Sequence, residues 1–401
     1  GIIDMEAIER STSVYLVDRV IPMLPEVLSN DICSLKPNVD RLAYSVFFEI
    51  NGKAEVIDYK IAKTVIHSDV RFTYESAQEI INSKKGLLVT EILLLNRLSK
   101  ILRRKRQENG SINFESSEVK FILDDDNMPI DVFFKESLST NHLIEEFMLL
   151  ANKTVAKHIG FPKKNAKPFV YRVHDLPDKE RISTLNEIVK KFGHNIENNN
   201  PKILSKSLNY LLNKVKGEPE QQMVETLTIR SMAKAVYTTS NIGHYGLAFD
   251  YYSHFTSPIR RYPDLIVHRM LDQYINKKQK ENIDLEKICK HCSEKEKIAS
   301  QAERDSIKYM QVKFLKNKVG KVYEGVISGV TEWGLYVEIT ANKCEGLVKI
   351  SSIKNDHYIY NEKTYSITGY RTKKSYQLGQ KVRIKIQRAD LEKKQMDFVL
   401  V

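Results

Sequence analysis

Cysteine is scarce. Four residues in 401 are too few for a disulfide framework and point to a reducing, cytoplasmic compartment. Cys289 and Cys292 form CKHC, half of a zinc-site spacing. Cys33 and Cys344 stand alone, so no second pair completes a ligand set. Long apolar runs are missing too, and no stretch reads as a bilayer span or a signal peptide. Internal repeats and extended low-complexity tracts are absent, which excludes a repeat architecture. Acidic residues are outnumbered, with 51 Asp and Glu against 63 Lys and Arg, a net charge of +12. That excess favours a polyanionic partner, nucleic acid before an anionic membrane surface; the alternative is a basic surface that is only solvated.

What is present suits a globular protein. Hydrophobic residues make up 42% of the chain, enough for a sizeable core, and the length suggests two or three domains. The chain opens GIIDMEAIER, without an initiating methionine, so Gly1 is expected to be an internal point of a longer protein. LAYSVFFEINGKAEVIDYKIA reads as strand, Asn51-Gly52 turn and strand. Helical periodicity runs from about Glu75 to Arg106, ending in a basic segment. SINFESSEVKFILDDDNMPIDVFF predicts a hairpin with Asp124–Asp126 at its exposed turn. HLIEEFMLLANKTVAKHI predicts a helix whose apolar face carries Ile144, Phe147, Met148, Ala151 and Val155. A strand, a turn at Pro177, a helix and the loop NIENNNPK follow. DLEKICKHCSEKEKIASQAERDSIKYMQVKFL reads as one long helix.

Composition changes near Val319. GKVYEGVISGVTEWGLYVEI alternates as strands do, with glycine punctuation, and the remaining residues suffice for a five-stranded OB barrel. Trp333 and Tyr336 suit base stacking, with Lys349, Lys381, Arg383 and Lys385 for phosphates; the alternative is that Trp333 packs the barrel. The span resembles the small RNA-binding domain repeated in a large ribosomal protein, through its glycine layout and the return strand EGLVKISSI.

GHYGLAFDYYSHFTSPIRRYPDLIVHR, from Gly243 to Arg269, crowds arginines beside prolines and tyrosines, with Asp264 the one acid after Asp250. It closely resembles the signature of the ribonuclease R and ribonuclease II (RNB) family of RNA exonucleases, nearer to the ribonuclease R branch. TSVYLVDRVIPMLPEVLSNDICSLKPNVDRLAYS, FTYESAQEII, HLIEEFMLLAN, YRVHDLPDKERI and QAERDSIKYM match in the same order. The resemblance implies an α+β fold. Residues 1–318 would form the catalytic domain, a mixed sheet with helices lacking its N-terminal part, and residues 319–401 the OB-fold barrel.

It also implies roles. Arg260 would touch the scissile phosphate, with Glu303 near the catalytic centre and Arg261 extending the phosphate path. Tyr15 and Phe114 would clamp the terminal bases, and Tyr74 and Glu145 would meet the 2′-hydroxyl, with Glu146 the neighbouring candidate. His268 and Arg269 have two readings: an RNA contact, or a helix face bonded to Asp264 or a backbone carbonyl. The implied reaction is processive 3′-to-5′ hydrolysis of single-stranded RNA to nucleoside 5′-monophosphates with Mg²⁺. The aspartate ligands are expected upstream of Thr12, and Asp4 and Glu6 do not fit their pattern, so the chain alone is expected to be inactive. Single-stranded RNA is the expected partner, with the ribosome or RNA-decay factors further candidates and a monomer the expected state. The alternatives are a non-catalytic RNA-binding relative and a basic scaffold for a protein or ribosome.

Overall fold

The computed structural model describes residues 1–112, 118–135, 137–161, 167–218, 220–276, 284–354 and 356–401. The chain begins with helix α1 (Ile2–Arg10), a short ladder β1 (Val14–Tyr15) and β2 (Val20–Ile21), and a long hairpin β3 (Asp40–Ile50) and β4 (Val56–His67). Helices α2 (Tyr74–Ser83) and α3 (Val89–Glu108) follow, then hairpin β5 (Glu118–Leu123) and β6 (Pro129–Lys135), and helix α4 (Ser139–Gly160). Strand β7 (Tyr171–Val173), helices α5 (Lys179–Lys190), α6 (Pro201–Lys214) and α7 (Gln221–Ser231), strand β8 (Val236–Thr238), and helices α8 (Tyr262–Ile275) and α9 (Leu285–Leu315) complete the first part.

Local chemistry sets many of these boundaries. Thr73 and Ser76 form a reciprocal capping box at α2, and the Asp178 carboxylate accepts the Arg181 N–H at the start of α5. Asn200 caps α6 with Pro201 in its first turn. The turn between β3 and β4 is wider than the Asn51-Gly52 pair suggests. The Asn51 side chain accepts from the N–H groups of Lys53 and Glu55, and Ala54 takes the positive φ of 54°. A side-chain oxygen that replaces a backbone acceptor permits this longer loop.

The α+β class expected from the sequence holds. Among the described residues, strands of the first part pair as four two-stranded antiparallel ladders, β1–β2, β3–β4, β5–β6 and β7–β8, where a mixed sheet was expected. The face of α4 is only partly the expected one: Val155 is buried and Ala151 packs against the core, but the rest of the stripe is rotated. Ile144 and Met148 are each 39% exposed, while Leu143, Glu146, Leu149, Asn152, Val155, Ala156 and Ile159 are buried. The buried stripe includes two polar residues, which a hydrophobicity rule assigns to solvent. Both are satisfied: Asn152 accepts the Phe255 N–H at 2.9 Å and donates to the Tyr252 hydroxyl, and Glu146 meets Arg106.

The second part is a closed barrel of β9 (Val322–Thr331), β10 (Gly334–Ile339), β11 (Glu345–Lys349), β15 (Lys381–Asp390) and β16 (Gln395–Leu400), in the order β10-β11-β16-β15-β9. Between β11 and β15 lies a three-stranded sheet of β12 (Tyr358–Asn361), β13 (Ser366–Gly369) and β14 (Ser375–Gln377). Ile327, Leu335, Val337, Val348, Ile384, Ile386 and Phe398 fill the barrel. Gly334 has φ 145°, and a Cβ there would lie 2.1 Å from the Val348 carbonyl oxygen, so no other residue fits. The end of α9 closes the barrel: Val312, Phe314 and Leu315 join its core, and Lys394 pairs with Asp305 at 3.0 Å.

Candidate nucleic-acid interface

Three segments distant in sequence are stitched together. Ser13 N–H donates to the Arg260 carbonyl at 2.9 Å, and Tyr262 N–H donates to the Ser11 carbonyl at 2.8 Å. The next residues lie along α9, where the Glu303 carboxylate accepts the Tyr15 N–H at 2.9 Å and the Ser306 hydroxyl accepts the Val17 N–H at 3.1 Å. Tyr15, Arg260 and Glu303 are thereby gathered at one place, although 288 positions separate Tyr15 from Glu303. Tyr15 is 47% exposed, and Arg260 is exposed with no side-chain hydrogen bond or ion pair to a described residue.

Arg261 has a different environment. Its guanidinium makes two 2.8 Å bonds to Asp264, which is fully buried and also accepts the Ser257 N–H at 2.8 Å. The pair ties the loop before α8 to the first turn of that helix, so Arg261 shapes the segment that presents Arg260. The sequence offered Asp264 as a partner for His268 or Arg269; in the structure it belongs to Arg261. Its signal was the i,i+3 spacing from Arg261 across a helix start. His268 donates Nε2–H to the Phe255 carbonyl at 2.8 Å, the internal of its two readings. Arg269 also turns inward, but to Asp4, at 2.6 Å, and Asp4 accepts the Tyr262 hydroxyl as well.

Tyr74 is the first residue of α2, 40% exposed, and its carbonyl accepts the Thr140 hydroxyl at 2.9 Å. Of the adjacent acids on α4, Glu146 is buried against Arg106, whereas the Glu145 side chain is 47% exposed. Phe114 lies outside the described residues. On the barrel, Trp333 is 67% exposed in the turn between β9 and β10. Tyr336 is half-buried on β10, with Gly329 of β9 and Leu347 of β11 as its cross-strand neighbours. Of the basic residues near them, Lys349 pairs with Asp397 and Arg383 with Glu324.

Beneath the signature lies a cluster that composition did not reveal. The rings of His174 and His244 stack at 5.1 Å, Tyr252 packs edge-on against both His244 and His254, and the Tyr237 hydroxyl meets His254 Nδ1 at 2.8 Å. Burial lowers all three histidine pKa values. For His244, neighbouring His174 and Arg172 add to burial and bring it to about 3. His244 is therefore neutral in the folded protein well below neutral pH, while an unfolded histidine takes up a proton near the ordinary 6.5. The unfolded state then binds more protons, so stability should fall as pH drops from about 6.5 towards about 3. Thermal melting across that window should show the decline, and His244→Gln should flatten it. An unchanged slope in that variant would remove His244 from the effect.

Among the described residues, no group of three or more His, Cys, Asp or Glu side chains could hold a metal ion. Asp124 uses its carboxylate to accept the N–H groups of Asp126 and Met128, as a turn requires. Cys289 and Cys292 are buried thiols, and burial pushes Cys292 up to about 11. A Mg²⁺ site does not fit the residues described. No helix among them is long and apolar enough to cross a membrane.

A five-stranded barrel with an exposed tryptophan at a strand turn falls in the OB class of nucleic-acid-binding modules. The S1 RNA binding domain family matches residues 316–400, and the RNB domain family matches residues 1–277. The chain belongs to the RNB family. It is 41% identical to ribonuclease R of Thermotoga maritima over 422 residues, covering 100% of this chain and 58% of that protein. Ribonuclease R 1 of Lactococcus lactis is 38% identical, over 99% of this chain and 49% of its own length. The solved structure of Mycoplasma genitalium RNase R in complex with ribose methylated single-stranded RNA superposes with a TM-score of 0.94 at 29% identity, covering 100% of this chain and 64% of that one. The chain thus spans about half to three fifths of the curated relatives it matches.

Proposed function

We propose that this chain is the RNA-gripping and phosphate-positioning part of a 3′-to-5′ exoribonuclease that releases nucleoside 5′-monophosphates from single-stranded RNA. The observation that carries this reading is the convergence of Tyr15, Arg260 and Glu303. An exposed ring stacks on a base without reading sequence, and an arginine with no partner among the described residues offers two parallel hydrogen bonds to a phosphate. Glu303 acts through the backbone, holding the strand that carries Tyr15. Residues 1–318 would form this grip, and residues 319–401 would add a second stacking platform at Trp333 and Tyr336. Mg²⁺, the expected cofactor, would supply Lewis-acid chemistry. The steps assigned to this chain are binding and positioning only.

Affinity of the 401-residue chain for a labelled single strand should fall steeply with salt, because each neutralised phosphate releases counterions with a slope of about −0.7 per contact. Removing residues 319–401 should weaken binding without abolishing it. Binding that ignores salt, or that vanishes with the barrel alone, would overturn the two-platform reading. Incubation with Mg²⁺ and RNA separates this reading from a scaffold that binds no free strand: the chain should bind and not hydrolyse, and mononucleotide release would place a metal site within it.

A further inference from the structure

Glu145 is a half-exposed carboxylate on a helix, and such a side chain is ordinarily free among several rotamers. A group that distinguishes ribose from deoxyribose must instead offer its oxygen at a fixed point, since one hydroxyl is all that differs. The structure shows what restrains it. Arg106, in the last turn of α3, reaches α4 and binds buried Glu146 through Nη2 at 2.5 Å and Nε at 3.2 Å. The side chains of this pair are only 9% and 3% exposed, so the guanidinium is immobilised. The same Nη2 lies 3.4 Å from Glu145 Oε1, and His142 Nδ1 lies 3.4 Å from Glu145 Oε2. Each carboxylate oxygen is thus bracketed by one donor and keeps a lone pair for a ligand hydroxyl. α4 also anchors Tyr74, through Thr140.

We propose that Arg106 is a positioning residue for sugar selection, with Glu146 as the buried counter-charge that locks its fork and Glu145 as the carboxylate it aims. This rests on the reading of Glu145 as a 2′-hydroxyl partner. Arginine suits the task because its planar group can bind two carboxylates at once without losing its charge; lysine cannot hold both in fixed directions. Two adjacent glutamates then have opposite duties: one is sealed to fix the guanidinium, and the other is left open to meet the ligand.

The test is the ratio of RNA to DNA affinity for matched single strands bound by the 401-residue chain. Glu145→Ala should lower that ratio about tenfold, the worth of one hydrogen bond to a charged group. Arg106→Ala alone would strand a buried carboxylate and risk unfolding. Arg106→Met with Glu146→Leu removes both charges and keeps the packing. It should lower the ratio by a similar factor while DNA affinity stays level, and adding Glu145→Ala should then cost nothing more. Arg106→Lys, which retains charge balance, covers the case in which the apolar pair fails to melt cooperatively, and it should lose part of the ratio. If Glu145→Ala lowers the ratio and the Arg106 variants do not, the positioning role is wrong and the sugar contact stands. If Glu145→Ala leaves the ratio unchanged, the sugar contact itself is wrong and Arg106 falls with it.

Discussion

Arg260→Ala in the full-length protein is expected to lower turnover by about a hundredfold to a thousandfold, the usual loss for a transition-state donor, with RNA binding nearly intact. The asymmetry follows from the structure. Arg260 is the exposed member of its pair, without an internal partner among the described residues, so its removal leaves the fold undisturbed. The chain carries 63 Lys and Arg, and many of them can still attract the strand. A contact that matters most when charge builds on the phosphate affects rate more than affinity. Arg260→Lys should recover little, because an ammonium cannot reproduce a two-pronged contact. Single-turnover rates and equilibrium binding on the same RNA measure the two quantities. Equal losses in both would reduce Arg260 to one more phosphate contact.

Asp264→Ala should act on the opposite property. It leaves the half-buried Arg261 without its counter-charge and the Ser257 N–H without an acceptor. Breaking a buried pair by removing one partner costs about 3–5 kcal/mol, a large part of the stability of an ordinary domain. Urea unfolding should show the midpoint shift. Replacing both members, as Arg261→Met with Asp264→Leu, should cost much less, since the desolvation penalty is removed with the pair. If Asp264→Ala alone is as stable as the parent, the pair does not hold this loop. Neighbouring arginines in one sequence motif would thus separate experimentally, Arg260 by rate and Arg261 by stability.

The sequence by itself determined most of what is local. Caps at Thr73, Asp178 and Asn200, the two hairpins, the unbroken helix α9 and the barrel strands with Gly334 at their turn all follow from spacing and side-chain chemistry within a few residues. Its ordered motifs also carried the family resemblance, from which the proposed roles of Tyr15, Tyr74, Glu145, Arg260 and Glu303 come. Tertiary structure alone decided which charges are free and which are consumed inside. Arg261 does carry a local signal, Asp264 three residues on at a helix start, but Glu145 and Glu146 are identical and adjacent, and no local rule separates them. The partner that does, Arg106 for Glu146, must be brought within bonding distance by the fold across 40 positions. The α4 face was misread at Ile144 and Met148, though not at Val155, for the same reason: a buried polar residue is stable only beside its partner, and hydrophobic periodicity is blind to partners.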